Sequence, residues 1–176
     1  MLTVEKIINL LKEDNNFIEE KCSPDREIAF ISYDSRKVKK DTLFFCKGQN
    51  YKEEYLRQAI ADGACLYVSE TKYEAAADYI IVSDIQKAMA VIAAAFYGYA
   101  FRDLETVGIT GTKGKTTVSC FIENILDEHM GKKTALISTI NTYTGITDEM
   151  SLLTPPEAVD LQRLFYEAKE SGCKYL

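Results

Sequence analysis

Residues 107–117 read Val-Gly-Ile-Thr-Gly-Thr-Lys-Gly-Lys-Thr-Thr, and that order suits one kind of chemistry, the holding of a polyphosphate. Glycines at 108, 111 and 114 let backbone N–H groups close on an anion. A helix expected from Lys115 onward adds a favourable dipole at the same place. In such loops the lysine, here Lys115, reaches the β- and γ-phosphates, and the hydroxyl after it, here Thr116, sits on Mg²⁺. Gly111, Thr112, Lys113, Gly114, Lys115, Thr116 and Thr117 are therefore the candidate polyphosphate-binding residues. Lys115 and Thr116 are the catalytic candidates, and Thr116 is the candidate Mg²⁺ ligand. The spacing is GxxGxxGKTT rather than GxxxxGK[ST], because Ile109 stands where the first glycine of the common pattern belongs. The alternative is a glycine-rich turn with a chance lysine; the strand and helix signals on either side argue against it.

Three further stretches carry polar groups at the ends of apolar runs. Tyr33–Asp34–Ser35–Arg36 follows one run, and Gly48–Gln49–Asn50 follows another. Taken alone, each is also ordinary turn chemistry. Thr154–Pro155–Pro156–Glu157 satisfies a capping box with proline at the first helical position.

These residues need elements to hold them. Val4, Ile7, Ile8 and Leu11 recur at helix spacing, so a short amphipathic helix opens the chain. Ile28–Tyr33, Leu43–Cys46, Cys65–Val68 and Tyr79–Val82 are strand-length apolar runs. A helical stretch with Tyr55, Leu56, Ala59 and Ile60 closes at Asp62–Gly63, and a second helix runs from about Asp84 to Tyr97. Residues 1–99 thus read as a small α/β domain. From residue 100 the pattern is a strand at Thr106–Thr110, the glycine loop, and a helix carrying Val118, Phe121, Ile122 and Ile125 on one face. A strand at Thr134–Thr139, an irregular polar stretch to Ser151 and a helix with Leu161, Leu164, Phe165 and Ala168 follow. That is the opening of a doubly wound parallel sheet. Cys173–Leu176 reads as a third strand just begun, so residues 100–176 are expected to be only the first part of such a domain.

Composition limits what the chain can bind. Its 176 residues hold 21 Lys and Arg against 27 Asp and Glu, a net charge of −6. There is no basic footprint for nucleic acid or anionic lipid, although backbone dipoles can still hold a phosphate locally. With 47% hydrophobic and 27% charged residues the chain is globular rather than disordered. Five cysteines lie at irregular spacing with no CxxC, and the single His129 has no cysteine neighbour, so zinc is not expected and the thiols read as reduced. His129 reads as a surface residue near a helix C-terminus. The start lacks a basic n-region, and the apolar run Ala88–Ala100 is too short to span a bilayer. A cytoplasmic protein is expected.

The loop variant carries a resemblance. Gly-Ile-Thr-Gly-Thr-Lys-Gly-Lys-Thr-Thr resembles the ATP loop of the Mur ligases, ATP-dependent enzymes that build the peptidoglycan stem peptide. Tyr33–Asp34–Ser35–Arg36–Lys37–Val38, Asp41–Thr42–Leu43–Phe44–Phe45 and Lys47–Gly48 resemble the uridine-nucleotide domain of the MurE type, as do Ala59–Ile60 and Gly63–Ala64. Leu153–Gln162 resembles that family's substrate loop and the helix after it, although Leu153 and Pro155 stand where polar residues are common.

The resemblance implies that Tyr33 and Ser35 contact the UDP-sugar, that Gln49, Asn50 and Tyr51 hold the uridine diphosphate, and that Thr154 and Pro155 face the muramyl dipeptide. It implies ATP, bound by Gly111 through Thr117, and Mg²⁺ as cofactors and, as substrates, UDP-MurNAc-L-Ala-D-Glu and a diamino acid, with L-lysine favoured over meso-diaminopimelate. The product would be an amide formed through an acyl phosphate. A monomer unable to catalyse alone is expected. Two alternatives stay open at this point: a shortened, non-catalytic UDP-muramyl-binding paralogue, and an unrelated P-loop NTPase.

Overall fold

Val4, Ile7, Ile8 and Leu11 are the buried face of α1 (Val4–Glu13), whose N-terminus is capped by the Thr3 hydroxyl accepting from the Lys6 N–H. In the computed structural model, which describes residues 2–48, 51–75, 77–130, 134–151 and 155–176, the chain divides into two units at Phe96/Tyr97. The sequence placed the boundary after residue 99.

In the first unit the strands are β1 (Leu2–Thr3), β2 (Phe17–Lys21), β3 (Glu27–Ile28), β4 (Phe30–Ser32), β5 (Thr42–Phe45), β6 (Ala64–Ser69) and β7 (Asp78–Val82). Five of them form one sheet in the order β2-β7-β6-β5-β4. β4 to β7 run parallel, and β2 adds an antiparallel edge on β7. β1 and β3 pair separately. The single expected strand Ile28–Tyr33 is therefore two strands in two sheets. The break falls at Ala29, whose N–H leaves for the Asp41 carbonyl. β5, β6 and β7 are almost wholly buried, which is why they read as continuous apolar runs. β2 was not expected. Four of its five residues are exposed, so it has no apolar face to betray it.

α2 (Glu53–Ala61) and α3 (Ile85–Phe96) connect and cover the sheet. After α2 the chain turns at Gly63 with φ +111°, and a Cβ there would stand 3.0–3.2 Å from the Lys39–Lys40 backbone. Only glycine fits that approach. A buried polar hub fixes the start of α3: Asn16 accepts from the Ser83 hydroxyl and the Asp84 N–H, and donates to the Asp84 carbonyl.

The second unit contains α4 (Lys115–Met130), β8 (Leu136–Ile137), β9 (Asn141–Tyr143), β10 (Asp148–Met150) and α5 (Ala158–Glu170). The strand expected at Thr106–Thr110 is reduced to a parallel bridge between Glu105 and Tyr175, extended by Val107 N–H to the Leu176 carbonyl. Beyond Val107 no described segment offers that backbone a partner. The strand expected at Thr134–Thr139 is only β8, although Ala135 N–H also bonds the Tyr175 carbonyl. The stretch expected to be irregular is instead a β8-β9-β10 antiparallel meander. It is built by tertiary bonds that a polar sequence does not advertise. Glu167 of α5 accepts from Thr144 and Thr147 across the β9–β10 turn. Gly145 in that turn packs on Ser171, where a Cβ would come within 2.6 Å. On α4, Val118, Phe121 and Ile125 are exposed and Ile122 is half-buried, so the expected apolar face is open among the described residues.

Candidate functional site

The first unit places a cleft of about 690 Å³ at the carboxyl ends of β4 and β5. Crevices outside the carboxyl ends of parallel strands are where α/β sheets bind ligands. Tyr33, Asp34, Ser35 and Arg36 enter from the corner after β4. Phe44, Lys47 and Gly48 enter from the end of β5, and Tyr51 and Tyr55 from the approach to and first turn of α2.

The corner is built by Asp34. Its N–H donates to the Ser32 hydroxyl, which in turn donates to the Asp34 carbonyl. Its carboxylate caps the short 3₁₀ turn Ser35–Lys37 by accepting the Arg36 N–H at 3.0 Å. The Arg36 guanidinium then forks onto both carboxylate oxygens at 2.9 and 2.8 Å. These bonds hold the Asp34 carboxyl below its ordinary range. Its charge is answered locally, and Ser35 is left on the cleft wall.

Across the cleft, the Gly48 carbonyl accepts from the Tyr51 N–H at 3.1 Å, with Gly48 at φ +105° making the turn. The Tyr51 hydroxyl donates to the Cys46 sulfur at 3.1 Å. Burial raises both groups: the Cys46 thiol to about 12, and the Tyr51 phenol well above its ordinary value. Tyr51 meets Tyr55 edge-on at 6.1 Å and Tyr73 at 5.6 Å, so the wall is aromatic and rigid. Lys47 holds its ammonium 4.8 Å from the centre of the Tyr33 ring.

Of the sequence-predicted substrate residues, Tyr33, Ser35 and Tyr51 are brought together in this cleft. Gln49, Asn50 and Thr154 lie outside the described residues. Pro155 is exposed in the second unit. The helix starts later than the capping box expected at residues 154–157 implies: both prolines precede the N-cap, which is Glu157 and has no side-chain cap bond. Lys47 and Tyr55 line the cleft without having been singled out. Lys47 falls within the quoted Lys-Gly pair, but its stacking on Tyr33 is a long-range contact that carries no local signal.

In the second unit the glycine loop leads into α4 as expected. Gly111 and Gly114 take φ +152° and +77°, conformations that side-chain-bearing residues rarely adopt. α4 starts at Lys115, and Val118 N–H makes its first described helical bond, to the Gly114 carbonyl. The N–H groups before it therefore have no intrahelical acceptor. Lys115 bonds its own loop, donating to the Gly111 carbonyl at 2.6 Å. The Thr116 and Thr139 hydroxyls lie 2.7 Å apart. The loop is exposed from Thr110 to Lys115. Helix-start amides without intrahelical acceptors and a lysine at the first helical position fit a polyphosphate. Thr116 is a hard oxygen donor of the kind Mg²⁺ takes, and that ion keeps waters and needs few protein ligands. Among the described residues no cluster of His, Cys, Asp or Glu could hold a metal by itself. No helix among the described residues is long and apolar enough to cross a membrane.

Comparison with known proteins agrees with both units. The Mur ligase middle domain family model matches residues 109–176. The chain is 45% identical over 185 residues to the UDP-N-acetylmuramyl-tripeptide synthetase of Lactococcus lactis subsp. cremoris (strain SK11), covering 100% of this chain and 38% of that protein. It is 52% identical over 149 residues to the UDP-N-acetylmuramoyl-L-alanyl-D-glutamate--L-lysine ligase of Enterococcus faecalis (strain ATCC 700802 / V583), covering 84% of this chain and 29% of that one. This chain thus spans well under half the length of these relatives. Among solved structures, a UDP-N-acetylmuramoyl-L-alanyl-D-glutamate--2,6-diaminopimelate ligase superposes with TM-score 0.75 at 22% identity, over 99% of this chain and 34% of that one. MurF from Acinetobacter baumannii superposes with TM-score 0.61 at 18% identity, over 98% of this chain and 34% of that one. These two likenesses bear on the α/β fold.

Proposed function

Because the chain belongs to the Mur ligase family, we propose that it carries the uridine-nucleotide site and the ATP loop of an ATP-dependent ligase that adds L-lysine to UDP-MurNAc-L-Ala-D-Glu. The observation that carries this reading is the presence in one chain of a tyrosine-walled, cation-bearing cleft and a Gly-Lys-Thr-Thr helix start. The 52% identity to a lysine ligase favours lysine over meso-diaminopimelate.

The reaction makes an amide from a carboxylate, whose oxygen is a poor leaving group. ATP, when bound, supplies the phosphoryl group that activates the γ-carboxyl end as an acyl phosphate for attack by the amine. The task of the chain's own residues is to hold two mutually repelling anions at about 3–3.5 Å. Lys115 and the loop amides from Gly111 to Thr117 offset that repulsion. Thr116 would hold Mg²⁺, which neutralises phosphate charge. Tyr33, Ser35, Gln49, Asn50 and Tyr51 hold the UDP end of the substrate, and Thr154 and Pro155 its peptide end. The setting is the cytoplasm, and the protein acts as a monomer.

The test is ligation by the complete gene product of UDP-MurNAc-L-Ala-D-Glu with L-lysine or meso-diaminopimelate, followed by ADP release. Lysine-dependent ADP release is expected. Preference for diaminopimelate would sink the lysine assignment, and no ADP release with either would sink the ligase.

A further inference from the structure

The corner after β8 is built by buried Ser138. Its hydroxyl donates to the Asn141 carbonyl at 3.0 Å and accepts the Ile140 and Asn141 N–H groups at 3.3 and 3.2 Å, while its own N–H bonds the same carbonyl. That tight turn fixes the backbone of the residue inside it, Thr139. The Thr139 hydroxyl oxygen lies 2.7 Å from that of Thr116, in the first turn of α4. Thr116 is half-buried and Thr139 is exposed.

A hydroxyl carries one proton and two lone pairs. If Thr116 gives a lone pair to a cation, its proton must point elsewhere, and the cation's charge makes that proton a stronger donor. The Thr139 oxygen stands where it can accept that proton, and its own O–H, being exposed, can turn to water. We propose that Thr139 is a positioning residue of the glycine-loop site: it accepts a hydrogen bond from the Thr116 hydroxyl and so leaves a Thr116 lone pair for Mg²⁺. This rests on reading the loop as the site of ATP and Mg²⁺. Partners that orient a metal ligand in this way are worth about 10–100-fold in metal affinity.

The experiment titrates a fluorescent, non-hydrolysable ATP analogue into the complete gene product, in EDTA and at a series of Mg²⁺ concentrations. Melting curves check the fold of each variant. Thr139→Val keeps the shape and removes the acceptor. It is expected to raise the Mg²⁺ concentration for half-maximal tightening about tenfold, with affinity in EDTA unchanged. Thr139→Ser keeps the wild-type Mg²⁺ response, because the hydroxyl remains. Thr139→Ala reads the same loss if valine disturbs the corner. A wild-type Mg²⁺ response in both Thr139→Val and Thr139→Ala overturns the proposal. So does a loss equally large in EDTA, or a lower melting temperature with the Mg²⁺ response intact, either of which makes the hydroxyl pair a staple between the β8 corner and α4. A Thr139→Ser defect as large as that of Thr139→Val overturns it too. Each of those results leaves the loop a nucleotide site. Failure of the wild-type protein to bind the analogue more tightly with Mg²⁺ overturns the underlying reading and the proposal with it.

Discussion

The Lys115 ammonium donates to the Gly111 carbonyl oxygen at 2.6 Å, closing the glycine loop on itself with the residue that ATP would recruit. A polyphosphate entering the loop exchanges that bond for stronger, charge-assisted ones. Lys115→Ala removes the cation and leaves the backbone amides. Affinity for ATP should fall by about 2 kcal/mol, roughly thirtyfold, with UDP binding unchanged, since that cleft belongs to the other unit. Titration of a fluorescent ATP analogue and of UDP into the same variant checks both parts. In the complete enzyme the same change should abolish ligation.

The Asp34–Arg36 fork sets a pH limit on the first unit. Arg36 holds the Asp34 carboxyl below its ordinary value, so the folded state prefers the ionised form more than the unfolded chain does. The resulting stability is fully present above the unfolded pKa, near 4, and is lost as pH falls through the lower folded value. UDP binding should therefore show no Asp34-dependent change from pH 5 to 8. Asp34→Asn should lower affinity throughout that range, because the amide cannot make the same fork and the Ser35 corner loosens. Because the Arg36 side chain is 86% exposed, the pair itself contributes little to stability. Melting curves and UDP titrations over pH separate the two effects.

Much of this architecture is legible in the sequence, for a physical reason. α1 and α2 bury one stripe each, and β5 to β7 are buried on both faces, so their patterns are local. The glycine loop is legible because its φ values demand glycine at fixed offsets. β2 is silent because it is an exposed edge. The β9–β10 hairpin is silent because Glu167, far along the chain, holds its turn. In the cleft, Tyr33, Ser35 and Tyr51 sit in recognisable motifs. The partnership of Lys47 with Tyr33 exists only once β4 and β5 lie side by side.

Asn16 illustrates a buried cost that sequence reading does not find. It is 1% exposed, and three side-chain bonds tie it to Ser83 and Asp84. Asn16→Leu would leave the Asp84 N–H and carbonyl and the Ser83 hydroxyl without these partners. Ser83 and Asp84 are exposed, and the Asp84 carbonyl keeps the Ala88 N–H, so water can replace part of what is lost and the first unit should lose about 1–2 kcal/mol. Urea unfolding followed by tyrosine fluorescence should show a lower midpoint with an unchanged slope. An unaltered midpoint would show that the hub is dispensable.

Cys46 makes the alkaline limb of stability measurable. Burial pushes its thiol up to about 12, while the Tyr51 hydroxyl donated to its sulfur offsets only part of that. The unfolded thiol titrates near 8.5. Below that value both states are protonated, and the folded state keeps its full advantage. As pH rises above it, the unfolded chain loses its proton first, and stability declines until the folded thiol ionises as well. Cys22, raised to about 11 mainly by burial, acts in the same direction. Cys46→Ala should therefore lose stability at pH 7 through the small cavity it leaves, yet show a shallower fall between pH 8.5 and 11 than the wild type. Melting temperatures at half-unit intervals read this directly. The same neutral thiol should resist iodoacetamide at pH 9 in the folded protein and react once urea unfolds it, which peptide mass spectrometry resolves at the single residue. Rapid alkylation of Cys46 in the folded chain would mean that the sulfur is not sealed under Tyr51.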